Sequence, residues 1–221
     1  MIVDERIITF INSLDTKNSE ILEDIEREAL ADNVPIIRRE MQSFLKVLLM
    51  VKKPMRVLEV GTAVGFSALL MSEYVPEECA ITTIENYEKR IPIARQNFVR
   101  AGKEKKITLL EGDAMDVLKT LEGPYDFIFM DAAKGQYIHY LPEILRLLAK
   151  SGILVSDNVM QDGDVIESRF AVERRDRTIH ARMREYLYEL KHNDALVTSI
   201  IPLGDGVALS VKKEVGTDIA Q

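Results

Sequence analysis

The sequence predicts an α/β fold: a mostly parallel sheet with helices on both faces, an antiparallel last strand and an N-terminal helical cap. Three observations carry this expectation. Short β-branched apolar runs alternate with helical stretches after Pro54. The runs start at residues 56, 80, 107, 127 and 152, spacings of 20 to 27 residues that suit one strand, a loop and a helix. The last two runs, Leu196–Pro202 and Gly206–Lys212, are separated only by Leu203, Gly204 and Asp205, which allows nothing but an antiparallel hairpin.

The elements follow in order. Ser19–Leu30 places Ile21, Leu22, Ile25 and Ala29 at helical spacing, and Asp32, Asn33 and Pro35 break the pattern. Glu40–Val51 repeats it with Met41, Phe44, Leu45, Leu48 and Leu49, and Pro54 ends it. Residues 1–53 are thus expected as a helical cap on a core of residues 54–213, all in a single domain spanning 1–221. The parallel strands are expected at Arg56–Val60, Ala80–Ile84, Ile107–Leu110, Phe127–Met130 and Gly152–Ser156. Near-continuous apolar runs such as FIFM and ILVS fit a sheet covered on both faces. Helices are expected between them at Ser67–Tyr74, Tyr87–Ala101, Met115–Leu121 and Tyr137–Leu148.

Composition narrows the function classes. The net charge of -7 argues against nonspecific coating of nucleic acid. A single cysteine, Cys79, excludes an internal disulfide and a Cys-rich zinc site. The N-terminus carries acids where a secretory signal carries bases, and no apolar run is long enough for a membrane span, so a cytoplasmic protein is expected. The charge is uneven. Residues 169–184 hold six arginines against Glu173, Asp176 and little else.

In open parallel sheets ligands bind beyond the carboxyl ends of the strands. Glu85, Glu111, Asp131 and Asp157 stand at those ends, and Gly61 opens the turn after the first strand. A glycine turn entering a helix, with Glu85 following 24 residues later to accept ribose hydroxyls, points to an adenosine-type ligand. The run Gly61-Thr62-Ala63-Val64-Gly65 lacks the middle glycine of a dinucleotide fingerprint, which disfavours a nicotinamide enzyme. Glu59 would repel a pyrophosphate and suits a cationic ligand.

The segments VLEVGTAVGFSALLM, TTIENYEKRIPIARQNF, EGDAMDVL, YDFIFMDAAKGQY and SGILVSDNV resemble the class I S-adenosylmethionine-dependent methyltransferases, and more narrowly the metal-dependent O-methyltransferases of the catechol and caffeoyl-CoA type. That resemblance implies a Rossmann-like seven-stranded sheet with a reversed last strand. It implies that Glu59, Gly61, Ala63, Gly65, Ser67, Glu85, Asp113, Ala114 and Asp131 line the cofactor site. It also implies that Asp131, Asp157 and Asn158 bind a divalent metal, and that Lys134 is the general base, with Asp131 beside it in the catalytic pair. Chemistry supports the metal set, because three oxygen donors at adjacent strand ends suit Mg²⁺ or Mn²⁺. Such an ion would orient a hydroxyl and lower its pKa.

The acceptor is read from the surroundings. Arg38 and Arg39 precede the second cap helix, and Arg174, Arg175, Arg177 and Arg182 follow Asn158. Arginine forks suit phosphates and stack on bases. ERRDRTIHARMREYL resembles the bacterial tRNA 5-hydroxyuridine methyltransferases of the same family, which implies tRNA as partner and the 5-hydroxyl of an anticodon uridine as acceptor. A small catechol-like or phenolic substrate is the alternative, and a non-catalytic cofactor- or RNA-binding module is the alternative of another class. The resemblance further implies a homodimer, with the N-terminal helices available for it.

Overall fold

The computed structural model describes residues 2–214. The described residues form two compact units, one of residues 3–117 and one of residues 118–214 together with Ile2.

The first unit begins with α1 (Glu5–Ser13), capped by the Asp4 side chain on the backbone N–H of Arg6. Helices α2 (Glu20–Ala31) and α3 (Arg39–Lys52) follow, and Lys53 ends α3 in a left-handed conformation just before Pro54. Strand β1 (Arg56–Val60), α4 (Phe66–Glu73), β2 (Ala80–Glu85), α5 (Ile91–Arg100) and β3 (Ile107–Glu111) complete the alternation. The strands pair in parallel in the order β3-β2-β1, with Glu59 opposite Thr83 and Glu85 opposite Glu111. Residues 66–72 of α4 are all buried, because α2 and α3 pack on the helix from outside. The cap helices therefore lie within the first unit, which ends inside α6 (Ala114–Thr120).

The second unit holds β4 (Tyr125–Met130), α7 (Tyr137–Leu147), β5 (Leu148–Ser156), α8 (Arg177–His192), β6 (Leu196–Ile201) and β7 (Val207–Lys212). β4 and β5 are parallel, while β7 is antiparallel to both β5 and β6, giving the order β4-β5-β7-β6. Phe127, Ile128, Phe129 and Met130 are fully buried, as the unbroken apolar run requires. β5 starts four residues before the expected Gly152. Ser151 (φ 55) lies where the β4–β5 register shifts, between Leu148 and Ile153. Among the described residues, no helix is long and apolar enough to cross a membrane.

Candidate functional site

In the first unit the turn after β1 passes through three positive φ values, at Gly61 (103°), Ala63 (47°) and Gly65 (86°). The N–H groups of Gly61 and Thr62 donate to Ile84 O at 3.1 and 3.2 Å, tying the turn to the end of β2. For Ala63 the left-handed conformation costs about 1–2 kcal/mol. Its N–H donates to Glu85 Oε2 at 2.7 Å, which holds it there. Glu85 Oε1 also accepts from the N–H groups of Asn86 and Tyr87, at 2.9 and 2.8 Å. Glu85 is therefore gathered onto the glycine turn by three N–H groups, and of the roughly four acceptor positions of a carboxylate about one remains for a ligand hydroxyl. That acceptor beside a glycine turn fits one hydroxyl of an adenosyl ligand.

Glu59 and Ser67 are bonded to each other. Glu59 is fully buried, with Oε1 accepting from Ser67 Oγ and Oε2 from Thr83 Oγ1, each at 2.5 Å. Together with Thr62, whose hydroxyl meets that of Thr83, they brace β1, β2 and α4 against one another behind the turn. Asp113 Oδ1 accepts from Met115 N–H at 2.8 Å and so caps α6, of which Ala114 is the first residue. Glu85→Ala should free Ala63 and weaken S-adenosylhomocysteine binding about tenfold, the worth of one hydrogen bond to a charged group. Calorimetry on the variant reads this, and unchanged affinity would remove Glu85 from the cofactor site.

In the second unit the register Met130–Ser156 brings Asp131 and Asp157 to the same end of β4 and β5. Lys134 opens a short 3-10 turn (Lys134–Gln136), and its Nζ donates to Asp131 Oδ1 at 2.6 Å and to Asn158 Oδ1 at 2.8 Å. Asn158 adopts φ 56, and its N–H donates to Asp157 Oδ1 at 2.7 Å. Asp157 is 5% exposed. Burial first, and then the charge of Asp131, push its pKa up to about 7, with Lys134 pulling the other way.

A raised carboxyl pKa has a definite sign in stability. Between pH 4 and 7 the unfolded chain ionises Asp157 while the folded chain still holds its proton, so this contribution is present below about pH 4 and lost as pH rises to about 7. In EDTA, Asp157→Asn should flatten that part of the melting profile. A profile unchanged by the substitution would exclude the raised pKa.

The donors fit a hard divalent cation. Among the described residues no three His, Cys, Asp or Glu side chains form a metal cluster. The set here is two carboxylates and one amide, all oxygen donors. Oxygens from Asp131 and Asn158 already converge on one positive charge, the Lys134 ammonium.

Other residues shape this end of the sheet without any clear sequence signal. The fully buried Tyr137 hydroxyl bonds to Met130 O at 3.0 Å and Asp157 O at 3.2 Å. It joins the two strand ends, and a Lys–x–x–Tyr spacing is its only local trace. Tyr186 on α8 pairs its hydroxyl with Ser156 at 2.6 Å. The hairpin loop between β6 and β7 receives Val159 N–H on Gly206 O and Met160 N–H on Asp205 O, at 2.9 and 2.8 Å.

The basic stretch is mostly spent inside the unit. Arg175 pairs with Glu173 and Asp176, and Arg177 donates to Val172 O at 3.2 Å. Arg182 donates to Gly135 O at 3.0 Å and steadies the turn that carries Lys134. In the first unit Arg39 pairs with Glu26 at 3.0 Å. Arg174 is exposed, and Arg38 is half-buried at the start of α3.

The O-methyltransferase family profile matches residues 12–213. A catechol O-methyltransferase of Niastella koreensis is 34% identical over 128 residues, covering 56% of this chain and 58% of that protein. Caffeoyl-CoA O-methyltransferase 2 of Populus trichocarpa is 32% identical over 183 residues, covering 75% of this chain and 70% of that protein. The chain thus spans little more than half the length of the first relative. The narrower likeness to tRNA-modifying members gains no support from these relatives. Among solved structures, one from Staphylococcus aureus is 28% identical with a TM-score of 0.86, covering 95% of this chain and 100% of its own. A Podospora anserina methyltransferase solved with SAH bound is 27% identical, also with a TM-score of 0.86, covering 95% of each chain. The fold is accordingly the Rossmann-like methyltransferase fold, a seven-stranded mixed sheet with helices around it. The chain belongs to the O-methyltransferase family.

Proposed function

We propose that this chain methylates one hydroxyl of a small acceptor bearing two adjacent oxygens, of the catechol or caffeoyl type, using S-adenosylmethionine and a divalent cation. The observation that carries the reading is the convergence of Asp131 and Asn158 on the Lys134 ammonium, beside buried Asp157. S-adenosylmethionine supplies a methyl group on a cationic sulfur. Mg²⁺ or Mn²⁺ supplies a Lewis acid that lowers the pKa of a chelated hydroxyl. The chain's own part is positional and electrostatic. Glu85 and the Gly61–Gly65 turn hold the adenosyl group. Asp131, Asp157 and Asn158 hold the cation. Lys134, after its ammonium gives one proton to solvent, receives the acceptor's proton on Nζ; the acceptor oxygen forms the bond to the methyl carbon as the carbon–sulfur bond breaks and S-adenosylhomocysteine leaves with that electron pair.

The tRNA reading is weaker than the sequence suggests, because Arg39, Arg175, Arg177 and Arg182 already have partners within the fold. Self-association, if it occurs, has α1 to use, where Ile7, Phe10, Ile11 and Leu14 are exposed. A light-scattering mass of one chain, 25.1 kDa, would dismiss it.

The test is methyl transfer from labelled S-adenosylmethionine to catechol, to caffeoyl-CoA and to tRNA bearing 5-hydroxyuridine, each with Mg²⁺ and with EDTA. Transfer to a small acceptor, lost in EDTA, is expected. Transfer to the tRNA alone would overturn the acceptor, transfer surviving EDTA would overturn the cation, and cofactor binding with no transfer to any acceptor would favour a binding module.

A further inference from the structure

Lys134 is held by more partners than a proton acceptor needs. Its ammonium donates to Asp131 Oδ1 at 2.6 Å, to Asn158 Oδ1 at 2.8 Å and to the Tyr137 hydroxyl at 3.2 Å. An ammonium has three N–H groups, so all are engaged. The hydroxyl that receives the third is itself fixed. Its single proton is shared between Met130 O and Asp157 O, and it accepts from Ala132 N–H at 3.3 Å. Its ring meets Tyr186 edge-on, 5.4 Å between centroids. Tyr137 is thus anchored to both strand ends that carry the carboxylates, and Lys134 is anchored to Tyr137.

Two of the oxygens engaged by the ammonium are two of the three donors assigned to the divalent cation. The same side-chain oxygens cannot serve both at full strength, and two positive charges a few ångströms apart repel. We propose that the Lys134 ammonium is a built-in competitor for the divalent cation, and that Tyr137 is the positioning residue that sets how strongly it competes. Displaced from Asp131 and Asn158, Lys134 would remain tethered to the Tyr137 hydroxyl. Filling of the cation site and release of Lys134 would then be one event. This inference rests on the cation reading given under Proposed function.

The test measures Mn²⁺ dissociation constants on the full chain by calorimetry, without acceptor or cofactor, so that turnover plays no part. Lys134→Met should bind Mn²⁺ about tenfold more tightly, the worth of a charge-assisted hydrogen bond. Lys134 is 23% exposed, so its replacement leaves the core filled. Lys134→Arg should restore weak binding. Tyr137→Phe leaves the net charge unchanged, yet should tighten binding about threefold by loosening the grip on Lys134, since a neutral hydrogen bond contributes less than a charged one. A melting curve verifies that this variant is folded. Equal or weaker binding by Lys134→Met overturns the competition. Tightening by Lys134→Met with none in folded Tyr137→Phe reduces the effect to loss of a positive charge and overturns the role of Tyr137. Mn²⁺ bound by none of the four proteins overturns the cation reading itself, and this inference with it.

Discussion

Asp157→Ala should lose methyl transfer by at least about a hundredfold, since even the outer partners of a metal ligand cost about 10- to 100-fold when removed. Asp157 lies at the end of β5, is almost fully buried, and is one of only two carboxylates in the donor set. Within that set Asn158 is neutral and Asp131 is already paired with Lys134. Misfolding can be told apart from this loss. Near pH 8 the buried carboxylate is ionised above its raised pKa of about 7, where it opposes folding, so the alanine variant should melt no lower than the parent. Cofactor affinity should also persist, because Glu85 and the glycine turn belong to the other compact unit. Turnover in Asp157→Ala close to that of the parent would remove the residue from the reaction.

Gly65→Ala carries the second large effect. Gly65 sits at φ 86, and a Cβ there would lie 2.5 Å from the Phe98 ring. The ring is buried, so it cannot simply swing away. The left-handed backbone costs about 1–2 kcal/mol and the overpacking about 1–3 kcal/mol. For a chain of this size each kcal/mol lowers the melting temperature by about 2–4 °C, so a fall of about 5–15 °C is expected. Because α4 begins at the next residue, the turn before it must distort, and S-adenosylhomocysteine affinity should fall with it. Phe98→Leu in the same chain should recover part of the melting temperature by removing the clash. Parental melting and affinity in Gly65→Ala would mean that the turn tolerates a side chain and is not the close-fitting cradle described above.

The legible parts of this protein are those set by local pattern. β1, β2 and β3 announce themselves as β-branched runs, and acids at strand ends announce the Glu85 and Asp131/Asp157 positions. What escaped is whatever depends on a partner distant in sequence. The charge of Arg182 is obvious, but its acceptor is the backbone carbonyl of Gly135, and a carbonyl leaves no mark on the sequence. The arginines therefore read as a binding surface, although Arg177 and Arg182 also brace backbone carbonyls within the fold. Glu59 reads as a match for a cationic ligand, and its bonds to Ser67 and Thr83 leave no mark on the sequence. Tyr137 reads as the first residue of a helix, and only the three-dimensional closeness of Met130 and Asp157 reveals it as the tie between strands.

The hairpin that closes the sheet sets an order of events during synthesis. Asp131, Asp157 and Asn158 leave the ribosome well before Gly206, which fastens Val159, and before β7, which slides in between β5 and β6. At roughly 5–20 residues per second the nascent chain spends some seconds with every acid present and none of the final bonds that steady the segment after Asn158. Until β7 arrives, β5 also lacks its antiparallel neighbour and presents an open strand edge, the kind of surface on which chains aggregate. A chain cut short before residue 207 would thus carry the full set of acids yet be both inert and sticky. Cellular quality control would meet it as a folding failure rather than as a slow enzyme.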